Sequence, residues 1–229
     1  MSLHLSKHSA LLRAVKKGRA EMKVLLINGS PHEKGCTYTA LEEVAATLQA
    51  NGVETEIFWI GNKPIGGCIG CGTCFRERKG CVFGAEDGVN ECTAKIKDAD
   101  GVVIGSPVHF ASAGGNICAF LDRVFYSKSD FAGKPAAAIV SCRRGGSSAS
   151  FDRLNKYFTI SAMPIVSSNY WNGVHGNSPE EVKQDLEGMQ VMRNLGNQMA
   201  WLLKCIEAGK EKGIERPGIV FKDRTNFIR

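Results

Sequence analysis

The chain alternates short apolar runs with amphipathic stretches. Residues 23–28 (KVLLIN) form a continuous apolar run that stops at Gly29. Such a run predicts a strand buried on both faces. Residues 39–50 follow, with Leu41, Val44, Ala45 and Leu48 at helical spacing, and Asn51 and Gly52 end that helix. Residues 53–60 are rich in β-branched and aromatic side chains and predict a second strand. The pattern then continues with a short helix over 89–99, a buried strand over 101–105, and a helical stripe of Ile117, Phe120, Leu121, Val124 and Phe125. A fourth strand over 136–140, a helix over 147–158 and a short fifth strand over 164–167 come next. One long helix is expected over 178–208, with Ser178 as N-cap, Pro179 at the first position, and Glu180 and Glu181 facing the positive dipole end. Its Val182, Leu186, Met189, Met192, Leu195, Met199 and Leu202 make a stripe that reads as packing on the chain's own sheet, or as an oligomer contact.

Five strands alternating with helices imply an α/β protein with a doubly wound five-stranded parallel sheet and helices on both faces. Ligands of such sheets bind outside the carboxyl ends of the strands, where strand order reverses. At 229 residues and 43% hydrophobic content the chain suits one domain with a sizeable core, and no apolar run approaches the roughly 18 residues of a spanning helix. Five of the net six positive charges lie in residues 1–20, as Lys7, Arg13, Lys16, Lys17 and Arg19 without an acid. We therefore divide the chain into a basic extension, 1–20, and a domain, 21–229. The domain carries no basic stripe, so neither nucleic acid nor membrane is an expected partner. The extension reads as a solvated arm or an address signal, without the apolar region of a secretion signal. Nine cysteines, an odd number, argue against a disulfide scaffold and for a reducing cytoplasm.

The chemistry-bearing residues follow the strands. After the first come Gly29, Ser30, Pro31, His32, Glu33, Lys34, Gly35, Cys36, Thr37, Tyr38 and Thr39. Glycines permit tight turning, hydroxyls and helix N–H groups can hold an anion, and His32 and Lys34 add positive charge. An ordinary capped strand–helix connection has the same composition. After the third strand, Ser106, Pro107, Val108, His109 and Phe110 form an apolar, aromatic stretch before Gly114 and Gly115. After the fourth, Arg143 and Arg144 meet Gly145, Gly146 and Ser147. Residues 61–88 predict a long loop, and a loop of that length in a compact domain is usually functional. Within it, Cys68, Cys71, Cys74 and Cys81 are spaced x2, x2 and x6. The first three resemble a ferredoxin run. Four thiolates can also bind zinc, and free cysteines also serve as small buried hydrophobes. Arg76 and Lys79 could instead lower thiol pKa values. Cys92, Cys118 and Cys205 fall on predicted helices and read as core.

In GSPHEKGCTYT, the four-cysteine segment, SPVHFASAGG with FLDR at 120–123, and the RRGG turn, residues 23–208 resemble the flavodoxin-like NADPH-dependent FMN reductase family. The similar branch contains multimeric flavodoxins and iron–sulfur flavoproteins. The resemblance implies that Ser30, His32, Cys36, Thr37, Tyr38 and Thr39 hold the FMN phosphate. It implies that Pro107, Val108, His109 and Phe110 face the isoalloxazine, and that Arg143, Gly145 and Gly146 close its far side. His32 and Cys36 depart from the family pattern, which has Arg and a small polar residue there. Asp122 and Arg123 read as a structural pair. Trp171 and His175 read as core or surface residues, or as a roof over the flavin. By the same resemblance the chain is an enzyme that passes electrons from NAD(P)H through FMN to a quinone, nitro or azo compound, or flavin, with no obligatory acid–base side chain. The alternatives are an electron carrier with a [4Fe–4S] cluster on Cys68, Cys71, Cys74 and Cys81 that exchanges electrons with a ferredoxin, and a flavin-binding redox module without turnover. A homodimer or homotetramer is implied.

Overall fold

The structure, a computed structural model, describes residues 22–127, 129–220, 222–223 and 225. The basic extension 1–20 lies outside the described residues. Strand β1 (Lys23–Asn28) has β2 (Glu54–Trp59) on one side and β3 (Gly101–His109) on the other, all parallel. β5 (Ala136–Cys142) follows β3, and β6 (Gly173–His175) forms the far edge. The order β2-β1-β3-β5-β6 is the doubly wound parallel sheet expected from the pattern. A two-residue strand, β4 (Ser112–Ala113), is added by folding the end of β3 back on itself.

Alternate residues of each central strand enter opposite layers, which is why the strands read as unbroken apolar runs. Leu25, Ile27, Val102, Ile104, Ala138 and Val140 meet α3 (Val89–Asp98), α4 (Gly115–Tyr126) and α5 (Ser147–Ile160). Val24, Leu26, Val103, Ala137 and Ile139 meet α1 (Cys36–Ala50) and α7 (Leu186–Glu211). The methionine-rich stripe does pack on the chain's own sheet: Val182, Met189, Met192, Leu195 and Met199 are buried there, while Leu186 is exposed. No described helix is long and apolar enough to cross a membrane.

α1 begins at Cys36 instead of residue 39, and three larger departures from expectation follow. β3 runs to His109 instead of Gly105, so Pro107, Val108 and His109 are strand residues rather than loop. Residues 164–167 form no strand, only one bridge between Ile165 and Ala136. Beyond it Asn172, fully buried, donates its amide to the Ala138 carbonyl at 3.0 Å, and a side chain thereby serves an edge acceptor that a strand would have taken. The chain rejoins β5 only as β6. The final helix is two, α6 (Pro179–Gln184) and α7, broken at Asp185. Asp185 Oδ1 accepts from Gly188 N–H at 2.9 Å, capping α7, and Oδ2 accepts from His175 N–H at 2.7 Å. A carboxylate that satisfies the next helix start and the edge strand competes well against one more helical turn. Asp185→Ala should therefore lower stability by about 1–2 kcal/mol, the usual cost of a lost cap, measured as a fall in the urea midpoint.

Candidate cofactor site

The carboxyl ends of β1, β3 and β5 are drawn together by direct contacts. Gly29 N–H donates to the Gly105 carbonyl at 2.9 Å. A side chain at Gly105 would put its Cβ 2.8 Å from Thr37 Cγ2 and 3.0 Å from Leu41 Cδ1, so glycine lets the first turn of α1 sit directly on β3. Thr37 Oγ1 then reaches Ser141 Oγ at the end of β5, 2.8 Å away and buried. α1 opens at Gly35 with no side-chain cap and no acid in its first turn. Its first-turn N–H groups and positive dipole end therefore meet no acid from the helix's own first turn; Glu180 and Glu181 are the carboxylates near Cys36.

The residues around this helix start are ordered by short-range bonds. Asn28, buried at the end of β1, donates to Glu33 O at 3.0 Å and accepts from Ser30 N–H at 3.1 Å. Ser30 Oγ accepts from His32 N–H at 3.1 Å, and Trp59 Nε1 donates to Ser30 O at 2.8 Å. Thr39 Oγ1 donates to Gly35 O at 3.2 Å. Tyr38 OH accepts from Lys34 at 2.8 Å and donates to Glu42 at 3.2 Å, on the exposed side. Cys36 Sγ lies 3.8 Å from Gly176 O, and burial pushes its thiol pKa up. His32 is exposed.

β3 and β4 are joined by Phe110 and Ala111, with φ of 49° and 56°. A two-residue hairpin with both φ positive normally carries Asn-Gly. Holding Phe and Ala there costs about 1–2 kcal/mol per residue, and such strain concentrates at functional sites. The Phe110 ring is fully exposed at the tip, beside exposed His109, while Pro107 and Val108 are half-buried. The turn after β5 packs against this hairpin. Gly146 has φ +92°, and a Cβ there would lie 2.7 Å from Ala111 Cα. Gly145 opens to free space, Arg143 is exposed, and α5 too begins without a side-chain cap. Burial raises the Cys142 thiol pKa at the base of this turn.

The long loop holds a short helix, α2 (Thr73–Glu77). Cys68, Cys71, Cys74 and Cys81 line one small cavity with Phe83, Arg123 and Tyr126. Cys68 and Cys71 are exposed, Cys74 is buried and Cys81 is half-buried. The Thr73 hydroxyl and N–H lower the pKa of Cys71, with a smaller contribution from Arg76, whereas burial raises that of Cys74. Lys79 instead faces Glu77, 3.8 Å away. Among the described residues no three His, Cys, Asp or Glu side chains lie close enough to share one metal ion. Four thiolates on one zinc ion, each bonded at about 2.3 Å, would stand only about 3.8 Å apart; a cubane spreads its ligands more widely. The other cysteines divide: Cys92 is core, Cys118 half-buried and Cys205 exposed, contrary to its reading as core.

The profile of the family described as NADPH-dependent FMN reductase matches residues 22–178. The chain belongs to the NADPH-dependent FMN reductase family. Within it, the chain is 32% identical to an iron–sulfur flavoprotein of Methanocaldococcus jannaschii over 197 residues, 81% of this chain and 100% of the relative. Its fold is that of RosB, solved with the bound intermediate 8-demethyl-8-formylriboflavin-5′-phosphate, at TM-score 0.64, 15% identity and coverage of 91% and 92%. It is also that of a flavodoxin from the Archaea, at TM-score 0.55, 14% identity and coverage of 80% and 99%.

This FMN reductase family member brings the three expected loops into contact at the carboxyl ends of β1, β3 and β5, but it uses their hydroxyls differently from the simplest reading. Thr37 and Thr39 spend theirs on Ser141 and Gly35, so main-chain N–H groups are the donors left at the start of α1. Asp122 and Arg123 are not a pair. Asp122 binds Arg153 (3.0 Å) and Tyr157, whose pKa is raised by burial and by that carboxylate, and Arg123 binds Asp87. Trp171 is exposed and His175 faces Asp185 at 3.5 Å, so neither is core. Asn28 and Trp59 are not among the expected site residues, and Ser141 is expected only as the start of the loop after the fourth strand. Asn28 alone left a signal, a polar residue closing an apolar strand. Gly146→Ala should cost about 1–3 kcal/mol through overpacking against the hairpin, seen as a lower melting temperature.

Proposed function

We propose that this chain is an FMN-dependent oxidoreductase that accepts electrons from NAD(P)H and delivers them to a small acceptor such as a quinone, a nitro or azo compound, or free flavin. The observation that carries the reading is the uncapped, acid-free start of α1 at the point where strand order reverses, hydrogen-bonded through Thr37 to Ser141 of β5 and resting on Gly105 of β3. The N–H groups of Cys36, Thr37 and Tyr38, with Ser30, His32 and Thr39 around them, would receive the phosphate dianion. Phe110, held exposed at a strained tip, and Pro107, Val108 and His109 behind it, would lie along the ring. Arg143 and the open Gly145 would approach its other edge without steric hindrance, with Gly146 packed on the hairpin beside them. FMN, when bound, supplies a two-electron carrier, and the protein's part is to orient it and tune it with main-chain donors.

Protein purified from cells should be yellow and release FMN on denaturation, and it should oxidise NADH or NADPH in the presence of a soluble quinone. Thr37→Val, which leaves the buried Ser141 hydroxyl unpaired, should weaken FMN binding by about 3–10-fold, one hydrogen bond's worth. Protein that neither carries nor takes up FMN would sink this reading. FMN binding without NAD(P)H oxidation would select a redox module that takes its electrons elsewhere.

A second reading has its own support: four thiols line one cavity, and the chain is similar to proteins named iron–sulfur flavoproteins. On that reading Cys68, Cys71, Cys74 and Cys81 hold a [4Fe–4S] cluster, and the protein exchanges single electrons with a ferredoxin. A chain whose nine cysteines are all free suits a reducing cytoplasm, and a homodimer or homotetramer remains our expectation for its assembly. Anaerobic reconstitution with ferrous iron and sulfide should load the wild type, and Cys74→Ser should lose most of the iron while retaining FMN. Absence of iron from the reconstituted wild type rules the cluster out and leaves the reductase.

A further inference from the structure

The four cysteines are not held alike. Cys68 and Cys71 sit on an exposed, glycine-rich stretch. Cys81 is fastened at three points. Its N–H donates to Asn90 Oδ1 at 2.8 Å, its carbonyl accepts from Asn90 Nδ2 at 2.9 Å, and its Sγ accepts from Arg123 Nε at 3.2 Å. Asn90 rides on α3 and Arg123 on α4, so two helices of the packed layer fix one residue of the loop.

Arg123 is itself 3% exposed, among the core residues of α4. A buried guanidinium is costly unless every face finds a partner. Here Nη1 and Nη2 are paired with Asp87, Nη1 also donates to Gly66 O at 3.2 Å, and the Phe83 ring centroid lies 5.9 Å away. That leaves Nε, which points at sulfur. A surface cation could have balanced charge near the loop, but this one is buried, donates to a specific thiol, and lines the cavity that all four cysteines share.

We propose that Arg123 is a positioning residue for the cysteine centre: it seats Cys81 as the fourth ligand and raises the reduction potential of the cluster held there, with Asp87 as the opposing charge. The inference rests on the cluster reading above. A donor and a positive charge beside a ligand sulfur stabilise the form carrying one more electron, and hydrogen bonds to sulfur are among the terms that set cluster potentials. Asp87 acts through Arg123 in the opposite sense, since its carboxylate offsets part of the guanidinium charge. The one-electron couple needs no further reactant than the electron donor of the redox titration.

The test compares wild type, Arg123→Gln and Asp87→Asn in the full chain, reconstituted anaerobically with ferrous iron and sulfide. Iron and sulfide per chain report seating, and the midpoint potential, read from the EPR signal of the reduced cluster, reports tuning. FMN content and far-UV circular dichroism report folding. Arg123→Gln should lower the midpoint and reduce iron loading with FMN retained. Asp87→Asn should raise the midpoint. Opposite signs are what a charge acting on sulfur requires, and a merely structural role would move neither or both the same way. If Arg123→Gln fails to fold, Asp87→Asn decides alone: a raised midpoint supports the proposal, and an unchanged or lowered one overturns it. Midpoints equal to wild type in both variants, with iron bound, overturn the proposal and leave the cluster standing. A wild type that takes up no iron overturns both.

Discussion

The site depends on how closely β1 and β3 approach at their carboxyl ends. Gly29 and Gly105 meet there through a 2.9 Å hydrogen bond, and the first turn of α1 rests on Gly105. Because β2 lies on the other side of β1, the chain leaves β1 and β3 in opposite directions, and a crevice must open between the departing loops. The contact decides where the α1 N-terminus points and brings Thr37 to Ser141. Through β5 it also sets the position of the Arg-Arg-Gly-Gly turn, and through Gly146 that of the hairpin carrying Phe110.

This scaffold lets the loops hold conformations that they would not adopt alone. Positive φ at Phe110 and Ala111 is unfavourable, yet the hairpin is pinned by its pairing with β4 and by the glycine turn packed behind it. The cysteine loop is braced differently, by single polar anchors. Arg123 reaches from α4 to Asp87, Gly66 and Cys81, and Asn90 reaches from α3 to both main-chain groups of Cys81. A loop with little apolar content has no core of its own to order it. Part-buried hydrogen bonds from neighbouring helices, with Ile65 and Cys81 packed against the core, take that role.

What the amino-acid sequence determined by itself was the layer architecture and the places where chemistry gathers. Strands buried on both faces must be apolar at every position, and helices covering them must be apolar on one stripe, so 23–28, 101–105 and 136–140 and the stripes between them were legible as periodicity. The glycines and hydroxyls after the strands, and the spacing of four cysteines, were legible as composition. Tertiary structure alone decided the partners. Asn172 replaces a strand by bonding Ala138, Asp185 breaks a helix by bonding His175, and Arg123 turns from its neighbour Asp122 to Asp87 and Cys81. Each of these is a polar side chain whose partner lies ten or more residues away along the chain. Hydrophobic pattern is a local property read residue by residue, but a long-range hydrogen bond is chosen only when the packed layers bring donor and acceptor together, most firmly where they also exclude the competing water.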